Sequence, residues 1–303
     1  MELTVDLAGT KIDIIFAGQS NNAIALCNHY FRNFIHPDRG KSAAVKISVL
    51  ETTNSRLPVK ETNGEPIFEQ LLSTPDVVQW LRKVPQYKKD FLIDETTICS
   101  FCMDGLLLFS PETATGHIYL LKQGPRMFRP LYRLLWIYFA QVLGEEESCF
   151  VHAAALVRRE NGYLFMGDSG AGKSTLAGAC RQDTVLSDDS PVFRKRNGKY
   201  HVFPSPYHQM DRLKILNREV PDIYAEVKGL YFLIKDDDVS IHKISKKKAV
   251  SMIINRYILF FPYLSPRAKR LLFDLFLEVC HNLHTHYLHY LPGRDVWSVI
   301  ADG

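Results

Sequence analysis

Eleven residues, MGDSGAGKSTL from Met166 to Leu176, carry a recognisable chemistry in their order. Gly167 and Gly172 bracket Asp168, Ser169, Gly170 and Ala171, and Lys173, Ser174 and Thr175 follow, matching the GxxxxGK(S/T) pattern of a phosphate-binding loop. Glycines let successive backbone N–H groups turn inward around phosphate oxygens, and a following helix points its positive end at the same anion. Lys173 is placed to reach the β and γ phosphates, and the Ser174 hydroxyl suits magnesium. Gly167 to Thr175 are therefore expected to bind a nucleotide, or pyrophosphate, through backbone amides that do not read the base.

The next acids in the chain separate the chemistries open to such a loop. One short helical stretch, STLAGACRQ, leads to a strand, TVLSDD, that ends in Ser187, Asp188 and Asp189. Parallel strands joined by one helix are neighbours or near neighbours, and their C-terminal ends line one crevice. Both acids are expected beside the γ-phosphate. Adjacent residues on an extended strand face opposite ways, which gives each its own role. One would orient magnesium, and the other would accept a proton from an attacking hydroxyl. The structural alternative is an N-cap or turn pair before SPVF. His152 lies on the strand that precedes the loop strand; from pattern alone a histidine beside AAAL is more often a satisfied core or edge residue than a functional one.

The surrounding elements follow from pattern. CFVHAAALVRRENGYLFM reads as a hairpin through Asn161-Gly162 whose second strand runs into the loop. PVFRKRNGKYHVFP is a second hairpin turning at Asn197-Gly198, YAEVKGLYFLIK a strand, SPRAKRLLFDLFLEVCHNL a helix and THYLHYLP a last strand. Upstream, LTVDLAGTKIDIIFA gives two strands around Gly9, NNAIALCNHYFRNF a helix, AAVKISVLE a strand, and the stretch from Thr96 three more strands with a turn at Asp104-Gly105. PRMFRPLYRLLWIYFAQVLG is a helix expected to end at Gly144, with Arg129, Arg133 and the acidic run after it in solvent. The expected organisation is an α+β N-terminal domain over 1–124 serving as scaffold or docking unit, a linking helix over 125–147, and an α/β catalytic domain with a mixed sheet over 148–303.

The chain has 303 residues, 46% of them hydrophobic, which is ample for two cores. A net charge of +4 does not call for nucleic acid. The N-terminal stretch lacks the pattern of a signal peptide, and the longest apolar runs, Leu131–Leu143 and Met252–Leu264, are interrupted by Arg or Pro. A cytoplasmic protein with no membrane or nucleic-acid partner is expected, and a homo-oligomer stays open. The six cysteines read as reduced thiols, and Cys99 and Cys102 form a CxxC with no second pair to complete a zinc site. Three further features have both a structural and a functional reading. FPSPYHQM offers Tyr207 and His208 as wall or substrate contacts. KISKKKAV is a solvated basic run, or a mobile loop that neutralises phosphate or an acidic peptide. Glu278 and His281 have the i, i+3 spacing of helical metal sites within a set that includes His284, His286 and His289, but a break near 282–285 works against convergence.

VHAAALV, MGDSGAGKST, LSDD and AEVKGL together resemble the catalytic domain of the HPr kinase/phosphorylase family, whose core is similar to that of phosphoenolpyruvate carboxykinases. The resemblance spans roughly 149–233. It implies an α/β P-loop fold and a serine kinase using ATP and Mg2+. Asp188 would be the general base, Lys173 and the loop amides would grip phosphate, and His152 would sit against the base and tune it. Ser174, Asp189 and Glu226 would hold magnesium. Lys228 stands where the family signature has arginine, so a bidentate contact would become a point charge. The longer segment between the acid pair and Glu226 and the unfamiliar N-terminal part argue against a sugar-transport phosphocarrier as acceptor. They leave a protein or peptide serine, such as the C-terminal serine that the similar lasso-peptide precursor kinases modify. A small-molecule or carboxykinase-like phosphotransferase, with Lys228 and Arg212 as candidate basic residues, an HPr-type regulatory kinase/phosphorylase, and a nucleotide-sensing module remain alternatives.

Overall fold

The computed structural model describes residues 1–17, 21–37, 43–49, 89–92, 98–102, 105–120, 128–180, 182–207, 223–291 and 293–300. The chain divides into two compact units, Met1–Asp6 with Thr10–Val142, and Leu7–Gly9 with Leu143–Gly303. The Asp104 side of the expected turn, His208 and Arg212 lie outside the described residues.

The first unit contains β1 (Glu2–Leu7), β2 (Thr10–Ala17), α1 (Asn21–Phe31), β3 (Ala43–Val49), β4 (Lys89–Leu92), β5 (Ile98–Cys102), β6 (Gly105–Ser110) and β7 (Thr115–Leu120). Its sheet runs β1-β2-β3-β7-β6-β5-β4, with β2, β3 and β7 parallel. In β2, Ile12, Ile14 and Phe16 are buried and Ile15 is exposed, while Asp13 is also buried, its carboxylate accepting from Thr4 Oγ1 at 2.7 Å. Ala23, Cys27 and Phe31, spaced by four, form the buried stripe of α1, and burial pushes the Cys27 thiol up to about 12. Cys99 and Cys102 both lie on β5.

The helix α2 (Phe128–Glu145) runs one residue past Gly144. Gly144 is no terminator: a Cβ there would stand 3.0 Å from Ala268 Cβ and 3.5 Å from Leu264, so its bare backbone admits a close helix approach. The first of the three glutamates is not in solvent either. Glu145 accepts a hydrogen bond from Ser265 Oγ and an ion pair from Arg267 at 3.3 Å.

The second unit contains β8 (Ser148–Phe150), β9 (Ala153–Arg158), β10 (Asn161–Met166), α3 (Lys173–Ala179), β11 (Thr184–Ser187), β12 (Val192–Arg196), β13 (Lys199–Phe203), β14 (Ala225–Lys235), β15 (Ser240–Lys243), α4 (Lys246–Met252), α5 (Pro266–Asn282) and β16 (His284–Tyr290). The mixed sheet runs β11-β9-β10-β14-β13-β12-β8, and β16 joins β14 along the stretch that β13 leaves uncovered. β10, β14 and β16 are parallel to one another, whereas β9 is antiparallel to both β10 and β11. The architecture is α/β with mixed sheets. β10 is buried on both faces; Tyr163 and Phe165 pack with Leu176, Ala177, Tyr231, Leu288 and Tyr290 in one cluster.

The hairpin before the loop turns earlier than Asn161-Gly162. Arg158 pairs with Asn161, and Arg159 and Glu160 form the turn at φ 48° and 68°. Gly162 is inside the strand because a side chain there would press on Val202 and Ala225. The second hairpin turns at Asn197-Gly198, both left-handed. The stretch KISKKKAV forms the end of β15 and the start of α4, capped by Ser245 Oγ accepting from Lys248 N–H. A five-residue π-helical turn, Ile253–Tyr257, continues it. Ser265 caps α5, Pro266 occupies its first turn, and Ala268, Leu272, Leu275, Phe276, Val279 and Cys280 make its buried face.

Replacing Gly144 by valine will destabilise the chain by about 1–3 kcal/mol, because the added carbons meet α5 with no room to move. Urea unfolding of the variant against the parent measures it; an unchanged midpoint would refute the close-approach role.

Candidate active site

The hairpin register builds the site. Met166 of β10 pairs with Ala153 of β9, so the residues that follow in register are Gly167, first of the loop, and His152. Beyond β9, the backbone N–H of Ala153 donates to the carbonyl of Asp189 at 3.0 Å, and that of Val151 to the carbonyl of Pro191. The acid pair, His152 and the loop thus meet at one end of the sheet. On the outer side, the His152 N–H donates to Tyr257 O at 2.7 Å, which fastens the strand to the π-helical turn.

Glycines shape the loop. Gly170 and Gly172 sit at φ 81° and 96°, a region that excludes most side chains. A Cβ on Gly172 would fall 1.6 Å from the hydroxyl of Tyr290, and one on Gly167 would be 2.6 Å from Ala171 Cβ. Tyr290, buried at the end of β16, donates its hydroxyl to Ala171 O at 2.8 Å and so buttresses the cradle from behind. Asp168, on the rim, meets Arg256 of the π-helical turn at 3.3 Å.

Lys173 is 5% exposed. Its ammonium donates to Gly167 O at 2.6 Å and lies 2.8 Å from His152 Nε2; a third contact, to Asp168 O, is 3.4 Å. His152 Nδ1 lies 3.2 Å from Asp189 Oδ1. The two contacts of the imidazole are satisfied together when Nδ1 carries the proton and donates to Asp189, while Nε2 accepts from Lys173. Burial lowers the Lys173 pKa, and the charges of Asp189, Asp168 and Asp188 oppose that shift. Burial also pushes the Asp189 carboxyl up, but the bonds from His152 and Ser190 and the charge of Lys173 outweigh it and leave the pKa below its ordinary value.

The partner of His152 is Asp189, not the proposed base Asp188. The antiparallel run of 151–153 against 189–191 sets Asp189 next to the imidazole, so the histidine acts on the carboxylate expected to hold metal. Ser187 shapes this turn by accepting from the N–H groups of Asp189 and Ser190, and Ser190 Oγ donates to Asp189 Oδ2 at 2.9 Å. Asp188 is 8% exposed. Ser174 is half-buried and Thr175 exposed on the first turn of α3.

Glu226 is not brought to the loop. It pairs in register with Asn161, at the start of β10, while Phe232 pairs with Met166 at the end. Six residues of strand put it about 20 Å from the loop end of the sheet. There it is clamped by Lys199 and Lys228, each at 2.7 Å, and those bonds hold its carboxyl down at about 2. Lys228 is spent on the same pair. Tyr207 is fully buried against Phe150 and touches no open surface. The histidine set disperses: His281 meets Lys246, His289 meets Asp236, and Glu278 takes Lys195 and Tyr200. Among the described residues no cluster of three or more His, Cys, Asp or Glu forms a ready metal cage, and no helix is long and apolar enough to cross a membrane.

Tyr290, Arg256, Ser187 and Ser190 had no signal of their own in the sequence. Only Ser187 and Ser190 adjoin a motif; Arg256 is 88 residues from Asp168, with nothing local to announce the contact.

No family model matches the chain, and no curated protein matches it. Among solved structures, the HPr(Ser) kinase/phosphatase from Coxiella burnetii is similar at 17% identity with a TM-score of 0.28, over 48% of this chain and 81% of that one.

Gly172→Ala will weaken nucleotide binding by roughly tenfold or more, since a left-handed alanine costs about 1–2 kcal/mol before its collision with Tyr290 is counted. Tyr290→Phe, which frees the loop carbonyl without adding bulk, will weaken it less; calorimetric titration with ATP compares the two. Because the folded pKa of Asp189 lies below its ordinary 3.8, the ion contributes stability that is present above that value and lost as pH falls through the folded one. The stability gap between parent and Asp189→Asn should therefore hold down to about pH 3.8 and narrow only below it, in urea titrations at a series of pH values.

Proposed function

We propose that this chain is a magnesium- and ATP-dependent kinase that phosphorylates a serine hydroxyl on a protein or peptide. One observation carries the reading: the Lys173–His152–Asp189 chain, which ties the acid pair to the phosphate loop. A loop built only to bind phosphate needs no pair of aspartates at its mouth. The residues present fit a nucleotide. Gly170 and Gly172 supply the left-handed turns that curl the loop backbone, and the Lys173 ammonium lies against the loop carbonyls, ready to exchange them for phosphate oxygens. They also fit a divalent cation, since each Asp189 oxygen accepts one hydrogen bond and keeps lone pairs for a metal, with the Ser174 hydroxyl on the adjoining helix turn.

Bound ATP and Mg2+ supply the phosphoryl group and the positive charge that steadies it. The chain does the rest. Lys173 and the loop amides of Gly167 to Thr175 hold the polyphosphate. Asp188 takes the proton of the acceptor hydroxyl as its oxygen attacks phosphorus and the bond to the β-phosphate breaks, leaving ADP. His152 keeps Asp189 ionised and oriented through Nδ1–H, and receives Lys173 on Nε2 when the loop is empty. Glu226, held by two lysines at the far end of β14, takes no part in metal binding. Peptides ending in serine are the first acceptors to try, in line with the lasso-precursor kinases that the motifs resemble.

Asp188→Asn will lower transfer from labelled ATP to such peptides by about 100- to 10,000-fold while leaving ATP affinity within about twofold. Unimpaired transfer would remove Asp188 as base. Transfer to metabolites alone would redirect the reading to a small-molecule kinase, and tight ATP binding without transfer would make the chain a nucleotide-sensing module.

A further inference from the structure

Beside the loop, on the face of the sheet opposite α3, lies an open groove of about 790 Å3 lined by Ser245, Lys247, Lys248, Ser251, Met252, Asn255, Arg256 and Tyr287. Register fixes its place. Met166, Phe232 and Tyr287 form one row across the parallel strands β10, β14 and β16, so the groove floor stands two strands, about 10 Å, from the residue that opens the loop. The rings of Phe232 and Tyr287 lie 6.1 Å apart, and Tyr257 packs on Phe232 from above. The turn that carries Tyr257 is therefore both the groove's wall and the clamp on His152.

The groove's charge is of one sign. Three of its lining residues are cations and none is a carboxylate. Lys246 turns away to His281, so two of the three consecutive lysines are committed to the groove. The ammonium of Lys248 rides 5.2 Å above the Tyr287 ring, which positions it without neutralising it. Among the described residues neither Lys247 nor Lys248 has a carboxylate in ion-pair range. Arg256 does, but its bond to Asp168 is 3.3 Å long between side chains 58% and 68% exposed, a pair that water and a competing anion can replace. Ser245, Ser251 and Asn255 add uncharged hydrogen-bonding groups of the kind that serve a peptide backbone. The volume falls inside the range of about 300–1,000 Å3 usual for ligand sites.

We infer that this groove is the acceptor subsite, and that it takes an acidic segment, with aspartate or glutamate carboxylates near the serine to be phosphorylated. The inference rests on the kinase reading for the reaction but on the groove's own charge and register for the substrate class. Lys247 and Lys248 attract and orient the segment; its serine would lie toward Arg256 and the loop, where Asp188 stands.

The test uses the full chain and two labelled heptapeptides, each ending in a single serine preceded by six glutamates or by six lysines. Fluorescence anisotropy reads peptide binding, calorimetry reads ATP binding, and phosphate transfer is followed separately. The acidic peptide should bind, more weakly as salt rises, and the double charge reversal Lys247→Glu with Lys248→Glu should weaken it by about tenfold or more while ATP affinity stays within about twofold. Equal binding of both peptides, or a reversal that weakens ATP rather than the acidic peptide, would overturn the subsite and assign the cations to the nucleotide. If the acidic peptide binds through the lysines yet no phosphate is transferred, the groove stands as a site for acidic peptide and the kinase reading fails.

Discussion

A lysine ammonium removed from water has to be surrounded by acceptors, and the site depends on how Lys173 meets that demand. Its acceptors come from separate stretches of chain: Gly167 O at the end of β10 and His152 Nε2 at the end of β9. They stand together because β9 and β10 pair in a register that sets 152 opposite 167. A slip of one residue would turn His152 to the other face and take from the buried ammonium its imidazole acceptor. The same histidine passes the interaction to Asp189. Loop, hairpin and acid pair are thus one electrostatic unit, and burial of the lysine is what makes the unit strict.

Around that unit the structure is asymmetric. The glycine loop follows β10 and the acid pair follows β11, both at C-terminal strand ends, and the C-terminal half of β14 lies alongside β10. The other end of β14 holds Glu226 between Lys199 and Lys228. The acid pair and Glu226 therefore stand in different surroundings. Asp188 and Asp189 face a buried cation and a glycine cradle, whereas Glu226 is a neutralised surface acid. A strand eleven residues long runs between the two surroundings.

The π-helical turn after α4 contributes to both the site and its surroundings. It presents Tyr257 O to the N–H of His152, sends Arg256 to Asp168, and pairs Ile258 with Val151. One extra residue per turn re-aims the chain just where it passes the loop, a placement π-turns often have near functional sites. Basic residues that read as a solvated run in one dimension acquire a direction from it, since capping by Ser245 starts a helix on which neighbouring lysines diverge.

The glycine pattern and its strand-to-helix context were legible from composition and order, because only glycine tolerates the backbone angles that a phosphate cradle requires. So were the acid pair, the strands that alternate with period two, and the turn at Asn197-Gly198. These are local consequences of sterics and periodicity. Asn161-Gly162 also pointed to a hairpin, although the turn lies at Arg159-Glu160, since packing under Val202 claimed Gly162 for the strand. Which aspartate meets the histidine, why Gly144 is a glycine, what buttresses the loop from Tyr290 and which end of the sheet receives Glu226 are matters of contact between distant segments. Only tertiary structure decides them, because they depend on register and on which surfaces press together, and neither is encoded at any single position.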